Sequence, residues 1–134
     1  MKDVEIAYLA GLIDGDGTIS IQADRGKHKP VVSISNTNRE VLEWCKNLIG
    51  RGSISPKKTY KKNHKLSFNL RWEYDVALDI AKKCCPYLII KKERAECILG
   101  WKSVVKRNGK YTPKELRKKE ELIVEIRRLN KRGI

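Results

Sequence analysis

A chain of 134 residues, 40% hydrophobic and 34% charged, has the size and composition of one soluble globular domain with a modest core. No apolar run approaches the roughly 18 residues of a membrane span, and Asp3 and Glu5 interrupt the start, MKDVEIAYL, so it is not a secretory leader. The expectation is a cytoplasmic protein, or an organellar one in a eukaryote, with no membrane partner, and its formal charge of +14 favours a polyanionic partner over a merely soluble basic domain.

Along the chain, Ile6, Leu9, Ala10 and Ile13 recur at helical spacing, which predicts a helix over 4–14, with Ala7, Gly11 and Asp14 turned to another side and Gly15 and Gly17 ending it. From Thr18 the period drops to two. Ile19, Ile21 and Ala23 face one way and Thr18, Ser20, Gln22 and Asp24 the other. The stretch DRGKHKP reads as a turn, followed by a strand with Val32 and Ile34 inward and Val31, Ser33 and Ser35 outward. Thr37 and Glu40 stand at capping-box spacing before a helix that carries Val41, Leu42, Cys45, Leu48 and Ile49 and stops at Gly50. GSISPKK is a short strand broken by Pro56, and KKTYKKNHK is a charged loop. Leu66, Phe68, Leu70 and Trp72 then alternate strictly with Ser67, Asn69 and Arg71. Val76, Ala77, Ile80, Ala81 and Cys84 mark a helix that Pro86 ends, residues 92–107 another, closed by Asn108-Gly109. Thr112, Pro113 and Glu115 are the cap, first-turn proline and capping-box acid of a last helix. Its Leu116, Ile123, Ile126 and Leu129 suit the core, while Lys118, Arg127 and Arg128 suit a polyanion.

Cys45, Cys84, Cys85 and Cys97 form no CxxC pair, and neither His28 nor His64 stands at zinc spacing from them, so they read as reduced, mostly buried apolar residues. The charge is lopsided. Residues 1–50 hold six basic and seven acidic residues, net −1, while 51–134 hold 24 basic and nine acidic, net +15. Lysine and arginine that neutralise phosphates release counterions, so nucleic acid is the first candidate partner. The amphipathic strands form one antiparallel sheet with a buried and an exposed face. The exposed face offers hydrogen-bonding side chains able to read base edges: Ser20, Gln22, Ser33, Ser35, Ser67, Asn69 and Arg71. Arg25, Lys27, Lys29, Lys57, Lys58, Lys61, Lys62 and Lys65 flank it in the turns and the charged loop.

Asp14 and Asp16, in LAGLIDGDG, fit this picture badly. They lie at a helix C-terminus, where the dipole is already negative, in a chain built to meet phosphate. An Asp-Gly turn is one reading. A calcium loop is another, but the further acids of such a loop are missing. A third places a hard divalent cation between carboxylate and phosphate, where Mg²⁺ takes one or two carboxylates and fills its shell with phosphate oxygens and water.

LAGLIDGDG resembles the motif that names the LAGLIDADG homing endonucleases, with one alanine replaced by glycine, and the order helix–strand–strand–helix–strand–strand–helix over about 4–107 is similar to that family's core. The resemblance implies an α+β fold, an αββαββα core with a four-stranded antiparallel DNA-binding sheet, within a single domain 1–134 whose residues 108–134 add a C-terminal helical extension. It implies that Asp16 is the catalytic metal ligand, with a further contact from the Gly15 carbonyl. Asp14 then braces the helix end, Asn36 in SISNTN orders a catalytic water, and Lys91 in YLIIKKE lies near the scissile phosphate with Lys92 one step behind. A supporting basic residue is expected at Arg39 or Arg71. The implied cofactor is Mg²⁺, with Mn²⁺ as a substitute.

The motif occurs once. Members of the family with one copy form homodimers, and the small residues Ala7 and Gly11, with Leu12 beside them, suit a close crossing of two such helices; glycine inside a helix costs about 1 kcal/mol against alanine and wants a reason. The implied activity is site-specific double-strand cleavage of a near-palindromic DNA. The alternatives are a splicing maturase that binds its own intron RNA on the same fold, and a catalytically inactive DNA-binding protein.

Overall fold

A computed structural model describes residues 1–57, 66–104 and 110–131, the side chain of Asp24 excepted. The elements follow the expected order: α1 (Asp3–Asp16), β1 (Gly17–Asp24), β2 (Lys27–Asn36), α2 (Arg39–Ile49), β3 (Ser53–Pro56), β4 (Phe68–Glu73) and α3 (Tyr74–Cys84). A 3₁₀ turn (Cys85–Tyr87), α4 (Lys92–Leu99), α5 (Trp101–Val104) and α6 (Pro113–Asn130) follow. The four strands form one antiparallel sheet in the order β1-β2-β4-β3. Helices cover one face, where Ile19, Ile21, Val32, Ile34, Leu70 and Trp72 meet Leu9, Ala10 and Ile13 of α1, Ala77, Ile80 and Ala81 of α3, and Ala95 and Ile98 of α4. Among the described residues no helix is long and apolar enough to cross a membrane.

Several boundaries differ from the expectation, each for a local reason. α1 runs through Gly15 to Asp16, and the strand begins at the next residue. Gly17 makes this loopless junction possible. It is extended, and a Cβ there would lie 2.7 Å from both Cα and O of Ile13 and 3.0 Å from the Ser33 carbonyl. The turn expected over 24–30 is only Arg25-Gly26, both left-handed (φ 52° and 81°), the two-residue hairpin that matches strand twist. Lys27 and Lys29 are therefore strand residues, opposite Asp24 and Gln22. Ala23 is exposed at this ribbon's end. Val31 points away from the helices yet is fully buried between Ser20 and Glu73. Asn38, not Thr37, caps α2, its side chain accepting from the Val41 amide at 3.1 Å. Leu66 lies outside β4 and is exposed.

The helix expected over 92–107 breaks at Gly100, where the Ser103 hydroxyl donates to the Gly100 carbonyl at 2.7 Å and a Cβ on Gly100 would lie 3.4 Å from the Leu122 side chain of α6; residues 105–109 lie outside the described residues. α6 begins with the expected Thr112–Glu115 capping box and lays Ile123, Ile126 and Leu129 on α4, α5 and β1. It covers the core, although Leu116 stays exposed. Cys45 and Cys84 are buried, and burial pushes their thiols up to about 11 and about 12; Cys85 and Cys97 are half-buried, and all four are free.

Gly17→Ala tests the loopless junction. The added methyl meets backbone on two elements, so unfolding stability is expected to fall by about 1–3 kcal/mol or more, measured as the midpoint shift in urea. An unchanged midpoint would mean that the end of α1 and β2 are not in contact through Gly17.

Candidate active site and nucleic-acid interface

The last turn of α1 leaves carbonyl groups with no helical partner and concentrates the negative end of the dipole. The Lys91 ammonium sits there, donating to the Ile13 carbonyl at 2.9 Å and the Asp14 carbonyl at 2.7 Å. The reverse contact comes from Asp14, whose carboxylate accepts the backbone amides of Ile89 (2.8 Å) and Lys91 (3.0 Å). Four hydrogen bonds thus stitch the motif helix to a segment more than 70 residues away. Burial lowers the Lys91 pKa from the usual lysine range, helped by the charge of Arg94 and opposed by Asp14 and Asp16.

Asp14 is spent inside the fold, while Asp16, two residues on, is exposed. Its Oδ2 accepts from the Asn36 side-chain amide at 3.0 Å. The Asn36 carbonyl oxygen in turn accepts the Asn38 backbone amide at 2.8 Å, which fixes the amide with its NH₂ toward Asp16. Asn36 lies opposite Phe68 at the end of β2, and the Arg39 guanidinium stacks 5.2 Å from the Phe68 ring while its Nε contacts Glu43 at 3.1 Å. Asp16, Asn36 and Arg39 therefore share one end of the sheet, with Lys91 at the same helix terminus as Asp16. Arg71, the other candidate for a supporting cation, lies on the sheet face opposite Ser33 and Ser53. Lys92 is the exposed first residue of α4.

On the uncovered face Thr18, Ser33, Arg71 and Ser53 form one row across all four strands, and Ser35, Asn69 and Ser55 the next. The side chains are linked. Ser35 donates to Asn69 at 3.0 Å, Gln22 to Ser20 at 3.2 Å, and Arg71 to Gln22 at 2.7 Å. Arg25 and Lys27 are exposed at the hairpin tip, and the Lys57 amide closes on the Ser67 carbonyl at 2.8 Å. Lys58, Lys61, Lys62 and Lys65 lie outside the described residues. Lys29 is not the open cation expected: its side chain is only 12% exposed and pairs with Glu73. Sequence patterning passes over Glu73, although its spacing of two from Arg71 puts it on the same face.

The outer side of α1 is unusual for a helix of this size. Val4 and Tyr8 are 73% and 55% exposed, and Gly11 and Gly15 continue the same stripe. Among the described residues a Cβ on Gly11 would have no neighbour within 4 Å, so none of their contacts calls for a glycine there. Ala7 is half-buried beside the stripe, and Leu12 turns partly into the core. Tyr8 meets Trp44 of α2 edge to face at 5.2 Å, which extends the apolar surface onto a second helix.

The family sequence model described as LAGLIDADG-like domain matches residues 3–96. No curated protein sequence matches the chain. Among solved structures, the homing endonuclease I-CvuI in complex with its target is similar at 20% identity over 95% of this chain and 82% of that chain, with a TM-score of 0.77. The archaeal intron-encoded homing endonuclease I-Vdi141I complexed with DNA is similar at 23% identity over 100% and 89%, TM-score 0.75. The LAGLIDADG meganuclease I-AabMI bound to uncleaved DNA is similar at 23% identity over 88% of this chain but 43% of that chain, TM-score 0.66. These likenesses establish the fold.

The two aspartates are expected to separate by stability. Asp14→Asn turns an amide toward one of two backbone donors and should cost about 1–3 kcal/mol, whereas Asp16→Asn, at an exposed site, should stay within about 0.5 kcal/mol. Denaturant unfolding of both variants checks this, and equal losses would contradict the division of labour between them.

Proposed function

As the chain belongs to the LAGLIDADG-like domain family, we propose that it is a homodimeric, divalent-metal-dependent, site-specific endonuclease of double-stranded DNA. The observation that carries this reading is the exposed Asp16 carboxylate at the end of the motif helix, with Asn36 bonded to it and Lys91 on the same helix end, beside a polar sheet face in a chain of charge +14.

The donor set fits a hard cation. Asp16 offers carboxylate oxygens and Gly15 a backbone carbonyl. Such a set suits Mg²⁺ (or Mn²⁺ in its place), which takes one or two carboxylates and completes its shell with phosphate oxygens and water. An ion held by Asp16 and the Gly15 carbonyl would supply an activated water and a charge for the leaving oxygen. Asn36, its amide fixed by Asn38, holds a water by hydrogen bonding. The Lys91 ammonium has a third N–H beyond the two given to α1, which would be available to charge developing on the phosphate. Arg39 and Lys92 add positive potential. The sheet face docks in the major groove and reads base edges.

The dimer reading rests on the outer stripe of α1. A helix apolar on both sides needs a second cover, and Gly11, with none of the described residues against it, allows a close helix crossing. A two-fold axis at Gly11 brings two Asp16 carboxylates together, one for each DNA strand, and an isologous dimer reads a near-palindromic site.

On a duplex recovered by binding selection, Asp16→Asn is expected to cut roughly 10²-fold or more slowly with Mg²⁺ and to bind at least as tightly, because a charge facing phosphate is gone. Cleavage at the wild-type rate would remove Asp16 from the chemistry. Binding of intron RNA without DNA cleavage by the wild type would favour a splicing maturase.

Gly11→Leu places an isobutyl group at the helix crossing. Sedimentation should show a monomer where the wild type is a dimer, and double-strand cleavage should be lost. A mutant that still dimerises and cuts both strands would move the axis elsewhere.

A further inference from the structure

Glu73 is a carboxylate at the end of β4, on the same polar sheet face as Arg71. It pairs with Lys29 and stands 3.6 Å from the Arg71 Nε, and Arg71 also donates to Gln22 at 2.7 Å. Lys29 is held from a second side by the Tyr74 ring, 5.7 Å from its ammonium. Tyr74 itself is left-handed (φ 55°), an unfavourable conformation for a tyrosine, at the point where β4 passes into α3 without a loop. The contacts with Lys29 and Arg71 keep the Glu73 carboxyl below the usual carboxylate range, so it stays charged. The carboxylate is not used as a helix cap: Glu73 occupies the N-cap position of α3 but its side chain makes no cap hydrogen bond.

We propose that Glu73, itself held by Lys29, determines sequence specificity by holding Arg71 on the polar sheet face, so that Arg71 reads a G·C pair rather than binds phosphate. This rests on the reading of the chain as a site-specific DNA-binding enzyme. A cation engaged by a carboxylate on the protein gains little by exchanging it for a phosphate, and the exchange leaves Glu73 facing the DNA backbone. Duplexes of the wrong sequence offer mainly phosphates and are penalised, which is selectivity by a built-in repulsion. A guanine presents O6 and N7 acceptors to the remaining Arg71 donors, and its cytosine partner presents an N4 donor to Glu73. An arginine and a glutamate side by side thus match both halves of one base pair.

The test compares wild type, Glu73→Gln and Glu73→Gln/Arg71→Gln. Affinity for a random-sequence duplex is measured against salt, and base preference by binding selection from a randomised duplex library. Glu73→Gln is expected to bind the random duplex roughly 3–10-fold tighter, with a salt slope steeper by about one phosphate contact, and to lose a G·C preference at one position in each half-site while keeping the others. The double variant should return the random-duplex affinity toward wild type, which a misfolded protein would not do. A wild type and Glu73→Gln with the same selected sequence and the same salt slope would overturn the role of Glu73 alone. A wild type that selects no sequence at all would overturn the endonuclease reading beneath it.

Discussion

The arrangement depends on how the negative end of α1 is satisfied. A helix terminus carrying two aspartates and open carbonyls is unfavourable unless cations or amides reach it. Here they come from one short segment. The Ile89 and Lys91 amides bind the Asp14 carboxylate, and the Lys91 ammonium binds the carbonyls of Ile13 and Asp14. Pro86 and the 3₁₀ turn after α3 bring the chain back over α1 at the height this requires. The bond network consumes Asp14 and leaves Asp16 outward, so one structural constraint yields one bracing carboxylate and one available carboxylate.

The same helix divides the molecule into its working surfaces. Its inner side enters the core with Leu9, Ala10 and Ile13, and its outer side keeps Val4, Tyr8 and Gly11 uncovered. Gly17 then joins helix to strand without a spacer, so the acid at the helix end lies directly beside the sheet that would read DNA. On the proposed function, reading and cutting would thereby be held in fixed relation by the backbone rather than by a loop. The polar face is itself pre-ordered: Gln22, Arg71, Glu73 and Lys29 form a connected set, which lowers the entropy lost when side chains are fixed on a target.

Period was the most legible feature. Ile19 and Ile21, and Leu70 and Trp72, alternate with polar residues because one sheet face is buried, and α3 and α6 carry clean helical spacing. The αββαββα order followed from that spacing, and the motif pointed to Asp16. Junctions were less legible, because they depend on backbone states that many residues can adopt. Arg25-Gly26 lacks the usual Asn or Asp of a tight hairpin, and Asn38 and Thr37 are both capable caps. The break at Gly100 needs α6, which is distant in sequence. The pairing of Asp14 with residues 89–91, and of Glu73 with Lys29, has no local signature, because each is created only when the elements pack.

On the proposed function, the exposed Asp16 carboxylate at the end of α1 would make this basic protein a metal-dependent nuclease. The most direct test of this claim is a cleavage selection, in which wild-type protein and Mg²⁺ are given a randomised duplex library and the cut ends are sequenced. The account predicts duplexes cut on both strands at a near-palindromic sequence, with no products when the divalent ion is chelated. Protein that binds the library and releases it uncut under every divalent ion tried, or that cuts equally well in chelator, would contradict it.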